Sequence, residues 1–330
     1  MDKVGGGISL IINNYNYGRF IIKAIESVLN QTINPYEIIV VDDGSTDNSL
    51  ELIQPYKQAI SIISKSNGGQ ASAFNAGFKA STGDWIWFID ADDLLVSTGL
   101  ENVINILNED IVKIQSPLLI INEEGDLTGG IYPTSKLSEG LVVNEVIENG
   151  DYSWPPTTGN VFKRSMLEKC MPIPEEDYRI CADFYLCSFA GFNGYIASSP
   201  VPIGCYRVHS QNSFYGLTLD KTKIYRNGLV FLMVIDRTRK LVSDNTGNLK
   251  FEFPFNRRML ESLMIAKRIG KLSLPDDLTG IPMHKKWLHS KDFKDLHGKQ
   301  KFKAIVYWLV LNYAPVFLTK YVVNFARQNN

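Results

Sequence analysis

Between Ile8 and Asp93 the chain alternates short β-branched runs with helical or polar stretches, and this alternation constrains the fold more than any other feature. Ile8–Ile12, Glu37–Val41, Ile60–Ile63 and Trp85–Ile89 read as buried strands. Ile21, Ile22, Ile25, Val28 and Leu29 recur at helical spacing and predict an amphipathic helix over about 19–31. Helices are expected over 47–58, where Asp42-Asp43-Gly44-Ser45 offers capping residues upstream, and over 71–80. Strands joined by helical crossovers run parallel, and the helices must cover the faces of the sheet. In such sheets ligands bind beyond the carboxyl ends of the strands. Those ends here are Asn13–Asn16, Asp42–Ser45 and Asp90–Asp93, all polar and two of them with adjacent carboxylates.

Further along, 99–108 reads as helix, 111–121 as strand, 150–160 as loop, 180–191 as a helix carrying Asp183, and 195–208 as short strands. Beyond about 215 long helical patterns take over, near 218–243 and 255–270. The expected organisation is an α/β domain over 1–215 and a helical region over 216–330. Lys plus Arg number 34 and Asp plus Glu 35, so the net charge is −1 and no global field favours a nucleic-acid partner. Cys170, Cys181, Cys187 and Cys205 form no CxxC pair, and with His209 they match no common zinc spacing. They read as reduced thiols of a cytoplasmic protein, and the first residues lack the layout of a secretory signal.

Asp90-x-Asp92 stands where a buried strand meets solvent. Two such carboxylates raise each other's pKa unless a hard divalent cation relieves the repulsion. A lone pair of this kind is also an ordinary acidic turn. Gly5-Gly6-Gly7 precedes the first strand instead of following it, which excludes the dinucleotide fingerprint, and no P-loop is present.

The combination of segments is more specific. Ile12–Asn16, Val40–Asp47, Asn67–Gly77 and Phe88–Asp93, followed by Ala182-Asp183 and Tyr206–His209, resemble the family-2 glycosyltransferases in content and order over about residues 8–212. The resemblance implies the GT-A fold: Rossmann-like, with a mostly parallel sheet covered by helices on both faces. It also implies a metal-dependent, inverting transfer of sugar from a nucleotide sugar, UDP-linked, to a glycan or lipid-linked acceptor in polysaccharide or glycoconjugate synthesis.

By that resemblance Tyr15 stacks on the base with Asn13 beside it, and Asp43 accepts the uracil imide N–H. Gly68, Gly69 and Asn75 approach the nucleotide, and Asp90 faces the ribose or the metal. Asp92, Asp90 and His209 are the implied contacts to Mn²⁺ or Mg²⁺, with Asp93 in support. Asp183 is the implied catalytic base; Glu175, Glu176 and Asp177 are alternatives that read as a solvated acidic run, and helix capping is the alternative role for Asp183. Pro156–Asn160, with Gly159 and Asn160, resembles the loop beneath the donor sugar, and Trp154 is positioned to stack on an acceptor or to anchor packing. The family often has Arg where this chain has Phe74, and a small or hydroxyl residue where it has Asn13.

Residues 302–326 are largely apolar, and the nearly continuous apolar stretch Ala304–Leu318 is interrupted by Asn312 and Pro315 and flanked by Lys299, Lys301, Lys303 and Lys320, with Arg327 beyond. A peripheral contact with the inner face of a membrane is expected, the alternative being a helix docked within the chain or in a homo-oligomer. Competing readings of the whole are a catalytically inactive sugar-nucleotide or glycan-binding relative, a sugar-nucleotide nucleotidyltransferase, and a receiver-like module using Asp42 and Asp43. The last is complete in ~120 residues and leaves Asp90–Asp93 idle.

Overall fold

A computed structural model describes residues 7–210 without a break, and beyond them 212, 228, 232, 235–244, 247, 263–267 and 297–313. The chain divides into two compact units, residues 1–144 with 152–209 and residues 145–151 with 210–330.

The first unit is built on a seven-stranded sheet. Its elements begin β1 (Ile8–Asn14), α1 (Gly18–Leu29), β2 (Glu37–Asp42), α2 (Ser49–Ile53), β3 (Ser61–Ser64), α3 (Gln70–Ala80), β4 (Trp85–Asp90), β5 (Leu94–Leu95) and α4 (Gly99–Ile104). They continue with β6 (Ile111–Gln115), β7 (Leu118–Ile121), β8 (Leu127–Tyr132), β9 (Asn160–Lys163), α6 (Arg164–Leu167), α7 (Ala182–Asn193), β10 (Tyr195–Ser198) and β11 (Gly204–Arg207), while α5 (Val143–Asn149) has most of its residues in the second unit. The large sheet runs β10-β6-β9-β4-β1-β2-β3, and a four-stranded sheet runs β5-β11-β7-β8. The neighbours β4-β1-β2-β3 are all parallel, as the alternation predicts.

The two faces of β1 show why helices flank both sides. Leu10 and Ile12 pack with Ile21, Ile25 and Val28 of α1. On the other face α3 approaches so closely that a Cβ on Gly77 would lie 2.4 Å from Ile11 Cγ2. Phe74 of α3 is fully buried and stacks on Phe88 of β4 with ring centroids 4.0 Å apart.

Two local expectations are corrected, and one strand is found that the sequence reading did not assign. The helix expected over 47–58 ends at Ile53, and Gln54–Tyr56 tighten into a 3-10 turn, because Pro55 has no N–H to continue the ladder. The run 111–121 is two strands in different sheets, parted at Ser116-Pro117. The loop-like 150–160 leads into β9, which runs antiparallel between β4 and β6. Only four residues long, β9 is held by partners 45 to 78 positions away in sequence, a pairing that local propensity does not encode.

In the second unit, residues 235–244 and 263–267 are helical, and a helix spans Gly298–Tyr313. Ala304 and Trp308 of that helix are buried, while Phe302, Ile305, Val306, Leu309 and Tyr313 are exposed. Among the described residues no helix is long and apolar enough to cross a membrane. Residues 314–326 of the apolar segment, and most of 218–234 and 255–270, lie outside the described residues.

Candidate active site

The register of the parallel strands sets the site. Asn13 stands opposite Asp90 across the β1–β4 pair, and its Nδ2 donates to Asp90 Oδ1 at 2.9 Å. One residue on, Asn14 donates to Asp42 Oδ2 at 2.7 Å, and Asp42 Oδ1 accepts from the Ser45 N–H at 2.9 Å. Asn16, at φ +56, accepts from the Thr46 N–H at 2.7 Å and closes the β1–α1 loop on the β2–α2 loop. Tyr15 stands on that loop 46% exposed, an aromatic face turned to solvent.

Asp43 is buried, and its carboxylate accepts from the N–H groups of Gly68 (3.0 Å) and Gly69 (2.6 Å) and from Lys65 Nζ (2.8 Å). It therefore holds the glycine turn in place. Gly69 has φ +89, and a Cβ there would meet the Arg179 carbonyl oxygen at 2.4 Å, so only glycine suits the position. Asn75 uses its amide on Ile173, donating to its carbonyl at 2.9 Å and accepting from its N–H at 2.8 Å, and so clamps the 173–175 segment.

Past the end of β4, one ligand oxygen each from Asp90, Asp92 and Asp93 lie within 4.8 Å of one another. Asp93 is held on both oxygens, by Thr158 Oγ1 at 2.6 Å and the Arg207 N–H at 2.9 Å. Arg207, fully buried, donates through Nε to the Asp92 carbonyl at 2.6 Å and through Nη1 to the Glu123 carbonyl at 2.8 Å. His209 Nε2 lies 2.8 Å from Asp92 Oδ2, which places the imidazole behind Asp92 as its partner. Burial, then the charge of Asp92, push Asp90 up to about 7 against the opposing bond from Asn13. Burial, with the charges of Asp92 and Asp90, holds Asp93 well above the carboxylate range. An all-oxygen cluster whose members resist joint ionisation fits a hard divalent cation such as Mg²⁺ or Mn²⁺.

Asp183 lies in the first turn of α7, whose N-cap is Cys181 with no side-chain capping bond. Its Oδ2 accepts from Thr157 Oγ1 at 3.1 Å and its Oδ1 from the Phe184 N–H at 2.9 Å. Burial raises its pKa, while those two bonds and the charge of Lys113 pull the other way. The charge of Asp183 in turn contributes to the elevation of Asp90, so the two carboxylates share one electrostatic site. Glu175, Glu176 and Asp177 are exposed.

The loop residues divide by role. A Cβ on Gly159 would meet the Ser116 carbonyl oxygen at 2.6 Å, and Asn160 donates to the carbonyls of Pro155 and Pro156 at 2.9 and 2.8 Å. Both shape the turn, and Trp87 Nε1 secures it to β4 by donating to the Thr158 carbonyl at 2.8 Å. Trp154 packs beside Phe184 with centroids 6.1 Å apart. Phe74 faces the core, so the position where the family often has Arg makes no polar contact here.

Sequence reasoning assigned no role to Thr157, Thr158, Gln70, Arg207 or Lys113. The tandem hydroxyls between Pro156 and Gly159 were the available signal for the first two. For Lys113, it was a lysine inside the apolar run Ile111–Ile114; the side chain is fully buried and donates to Gln115 Oε1 at 2.8 Å and to Tyr152 Oη at 3.1 Å.

Residues 9–129 match Glycosyl transferase family 2. An uncharacterized glycosyltransferase of Nostoc sp. is 39% identical over 213 residues, 62% of this chain and 66% of that protein. The poly(ribitol-phosphate) beta-N-acetylglucosaminyltransferase TarP of Staphylococcus aureus is 30% identical over 168 residues, 49% of this chain and 50% of that one. The chain thus spans just under two thirds of the first relative's length and half of the second's. Among solved structures, S. aureus TarS 1-349 in complex with UDP superimposes with a TM-score of 0.54 at 16% identity, covering 98% of this chain and 92% of that one. A mannosyltransferase from Pyrobaculum calidifontis in complex with GDP-Man and Mn²⁺ gives 0.53 at 15% identity, covering 98% and 80%. With strand order, acidic turn and sequence match in agreement, residues 9–129 are a glycosyl transferase family 2 domain, and the fold is GT-A.

Proposed function

We propose that the protein transfers a sugar from a UDP-sugar to a hydroxyl of a glycan or lipid-linked acceptor, with inversion at the anomeric carbon and with a divalent cation bound. The observation that carries this reading is the placement of Asp183 beside the Asp90–Asp92–Asp93 cluster, joined through Thr157. The relatives support it: TarS is known in complex with UDP and with UDP-GlcNAc, and the Pyrobaculum enzyme with GDP-Man and Mn²⁺.

Asp90 and Asp92 would hold the cation, supported by Asp93 and with His209 orienting Asp92. When bound, a cation there neutralises charge on a departing diphosphate. Tyr15 offers its exposed face to the base, beside Asn13. Asp43, Gly68 and Gly69 form the turn that borders the nucleotide, and Asn75 steadies the segment above it. Asp183 takes the proton of the acceptor hydroxyl, and burial suits it to that task by raising its basicity. Thr157 fixes which carboxylate oxygen is presented. Trp154, Gly159 and Asn160 belong to the loop bordering donor sugar and acceptor. The transferase domain is assigned to 1–215 and the helical region to 216–330, with 302–326 as the segment that meets a membrane surface or a second copy.

A thermal-shift panel with UDP, GDP, dTDP and CDP, each with and without Mn²⁺, tests the donor site. UDP at ~100 times its Kd adds ~2.7 kcal/mol of stability. The expected result is a rise with UDP that requires Mn²⁺ and disappears in Asp92→Ala. No rise with any nucleotide, or a rise indifferent to Mn²⁺ and to Asp92→Ala, contradicts the proposal.

A further inference from the structure

Gln70, the first residue of α3, makes four polar contacts that converge on the two acidic ends of the site. Its backbone N–H donates to the Arg179 carbonyl at 2.8 Å. Its Oε1 accepts from the Ala182 N–H at 2.9 Å. Its Nε2 lies 3.4 Å from Asp90 Oδ1 and 3.3 Å from Thr157 Oγ1, and that hydroxyl in turn donates to Asp183 Oδ2 at 3.1 Å.

Two features make this more than a surface network. First, Arg179 and Ala182 flank Cys181, which has φ +62 and ψ +41, a left-handed conformation that is costly for a non-glycine residue. Such a conformation persists only where neighbouring bonds over-determine it, and Gln70 grips the turn on both sides of Cys181. The left-handed turn starts α7 and therefore sets where Asp183 lies. Second, a primary amide has two N–H donors and one acceptor, and all three are used in different directions. The Thr157 hydroxyl has a single proton, which it gives to Asp183, so it receives from Gln70. The chain of donation runs Gln70 to Thr157 to Asp183, an arrangement in which each bond polarises the next.

We propose that Gln70 is a positioning residue that fixes Asp183 relative to the acidic cluster, through the left-handed turn at Cys181 and through Thr157. The mechanical part stands on the hydrogen bonds alone; its meaning for catalysis rests on the reading of Asp90 and Asp183 given above. Glutamate at this position keeps the acceptor for the Ala182 N–H but loses both donations. Alanine loses every side-chain contact.

Residue-resolved amide hydrogen exchange on the full ligand-free chain tests the mechanical part. In Gln70→Ala the Ala182 amide should exchange about tenfold faster, the effect of one hydrogen bond of ordinary net strength. Leu186, inside the same helix, should change by less than about twofold. Gln70→Glu should keep Ala182 protected, and its melting curve guards against a variant that fails to fold. Unchanged exchange at Ala182 in Gln70→Ala overturns the proposal, as does loss of protection along the whole of α7.

A second arm adds UDP with Mn²⁺. Wild type should gain protection at 90–93 and at 180–184, and Gln70→Glu only at 90–93. Equal gains in both proteins overturn the coupling through Thr157. Absence of any gain at 90–93 in wild type defeats the functional reading, while the Ala182 arm still decides the role of Gln70.

Discussion

His209 and Asp92 are 117 positions apart in the chain, yet Nε2 of the first lies 2.8 Å from Oδ2 of the second. The imidazole is enclosed, with the rings of Tyr17 and Phe20 at 5.8 and 5.0 Å between centroids and Arg19 Nη2 3.3 Å from Nδ1. The bond uses one oxygen of Asp92 and so orients the other. His209→Ala should weaken Mn²⁺ binding in the presence of UDP by about 10–100-fold, the usual effect of removing a residue that orients a metal ligand. His209→Gln, which can still reach Asp92, should recover part of it. Calorimetric titration of Mn²⁺ distinguishes this from direct ligation, in which the glutamine variant would be as weak as alanine.

The protonation of Asp90 makes stability depend on pH. Its pKa near 7, raised first by burial and then by Asp92, means that the metal-free folded protein keeps a proton that the unfolded chain releases. Between about pH 4 and 7 the unfolded state binds fewer protons, so this contribution to stability is full below that window and is lost as pH rises through it. A cation at the cluster opposes the loss. The rise in melting temperature on adding Mn²⁺ should therefore be larger near pH 7.5 than near pH 5. Asp92→Asn should flatten the pH slope of the metal-free protein.

Asp183→Asn keeps the shape of the side chain and removes its capacity to take a proton. The rate of sugar transfer should fall by about 10²–10⁴-fold, the range for loss of a general base. Affinity for UDP with Mn²⁺ should change much less, because Asp183 bonds to Thr157 and the Phe184 N–H and reaches Asp90 by its charge and through Thr157. Initial rates across a panel of UDP-sugars, set beside calorimetric UDP binding, separate the two effects.

Phe74 tests whether the family's arginine could be restored. The ring is fully enclosed and stacked on Phe88. Phe74→Ala should cost about 3–5 kcal/mol in urea unfolding, as for other buried phenylalanines. Phe74→Arg should cost at least as much, since it places an unpaired charge against the sheet, and should not tighten UDP binding.

Strands β1, β2 and β4, and the acidic turn at the end of β4, were legible because burial on both faces demands continuous apolar runs, and those runs stop where solvent begins, whereas β3, at the sheet edge and only half-buried, showed just the apolar pair Ile62-Ile63. The polar tails Asn13–Asn16, Asp42–Ser45 and Asp90–Asp93 followed from the same rule. Pro55 carried a signal that the expected helix over 47–58 passed over, since a residue without an N–H ends the helix that periodicity alone would extend. β9 was not legible, because Asn160-Val161-Phe162-Lys163 becomes a strand only by lying between β4 and β6.

The roles within the site divide along the same line. Residue types at strand ends follow from the chemistry that a strand end can support, so the carboxylates and glycines could be named from the chain alone. Which oxygen each carboxylate presents, and what holds it there, was decided by tertiary structure. Asp43 holds the Gly68–Gly69 turn, Asn160 and Gly159 shape the turn carrying Thr157, and Arg207 at the end of β11 and His209 just beyond it brace Asp92 from more than 100 residues away. Hydrogen bonds are directional and short, and their partners are chosen by folding. A sequence records the donors and acceptors, but only the packed sheet determines which of them meet.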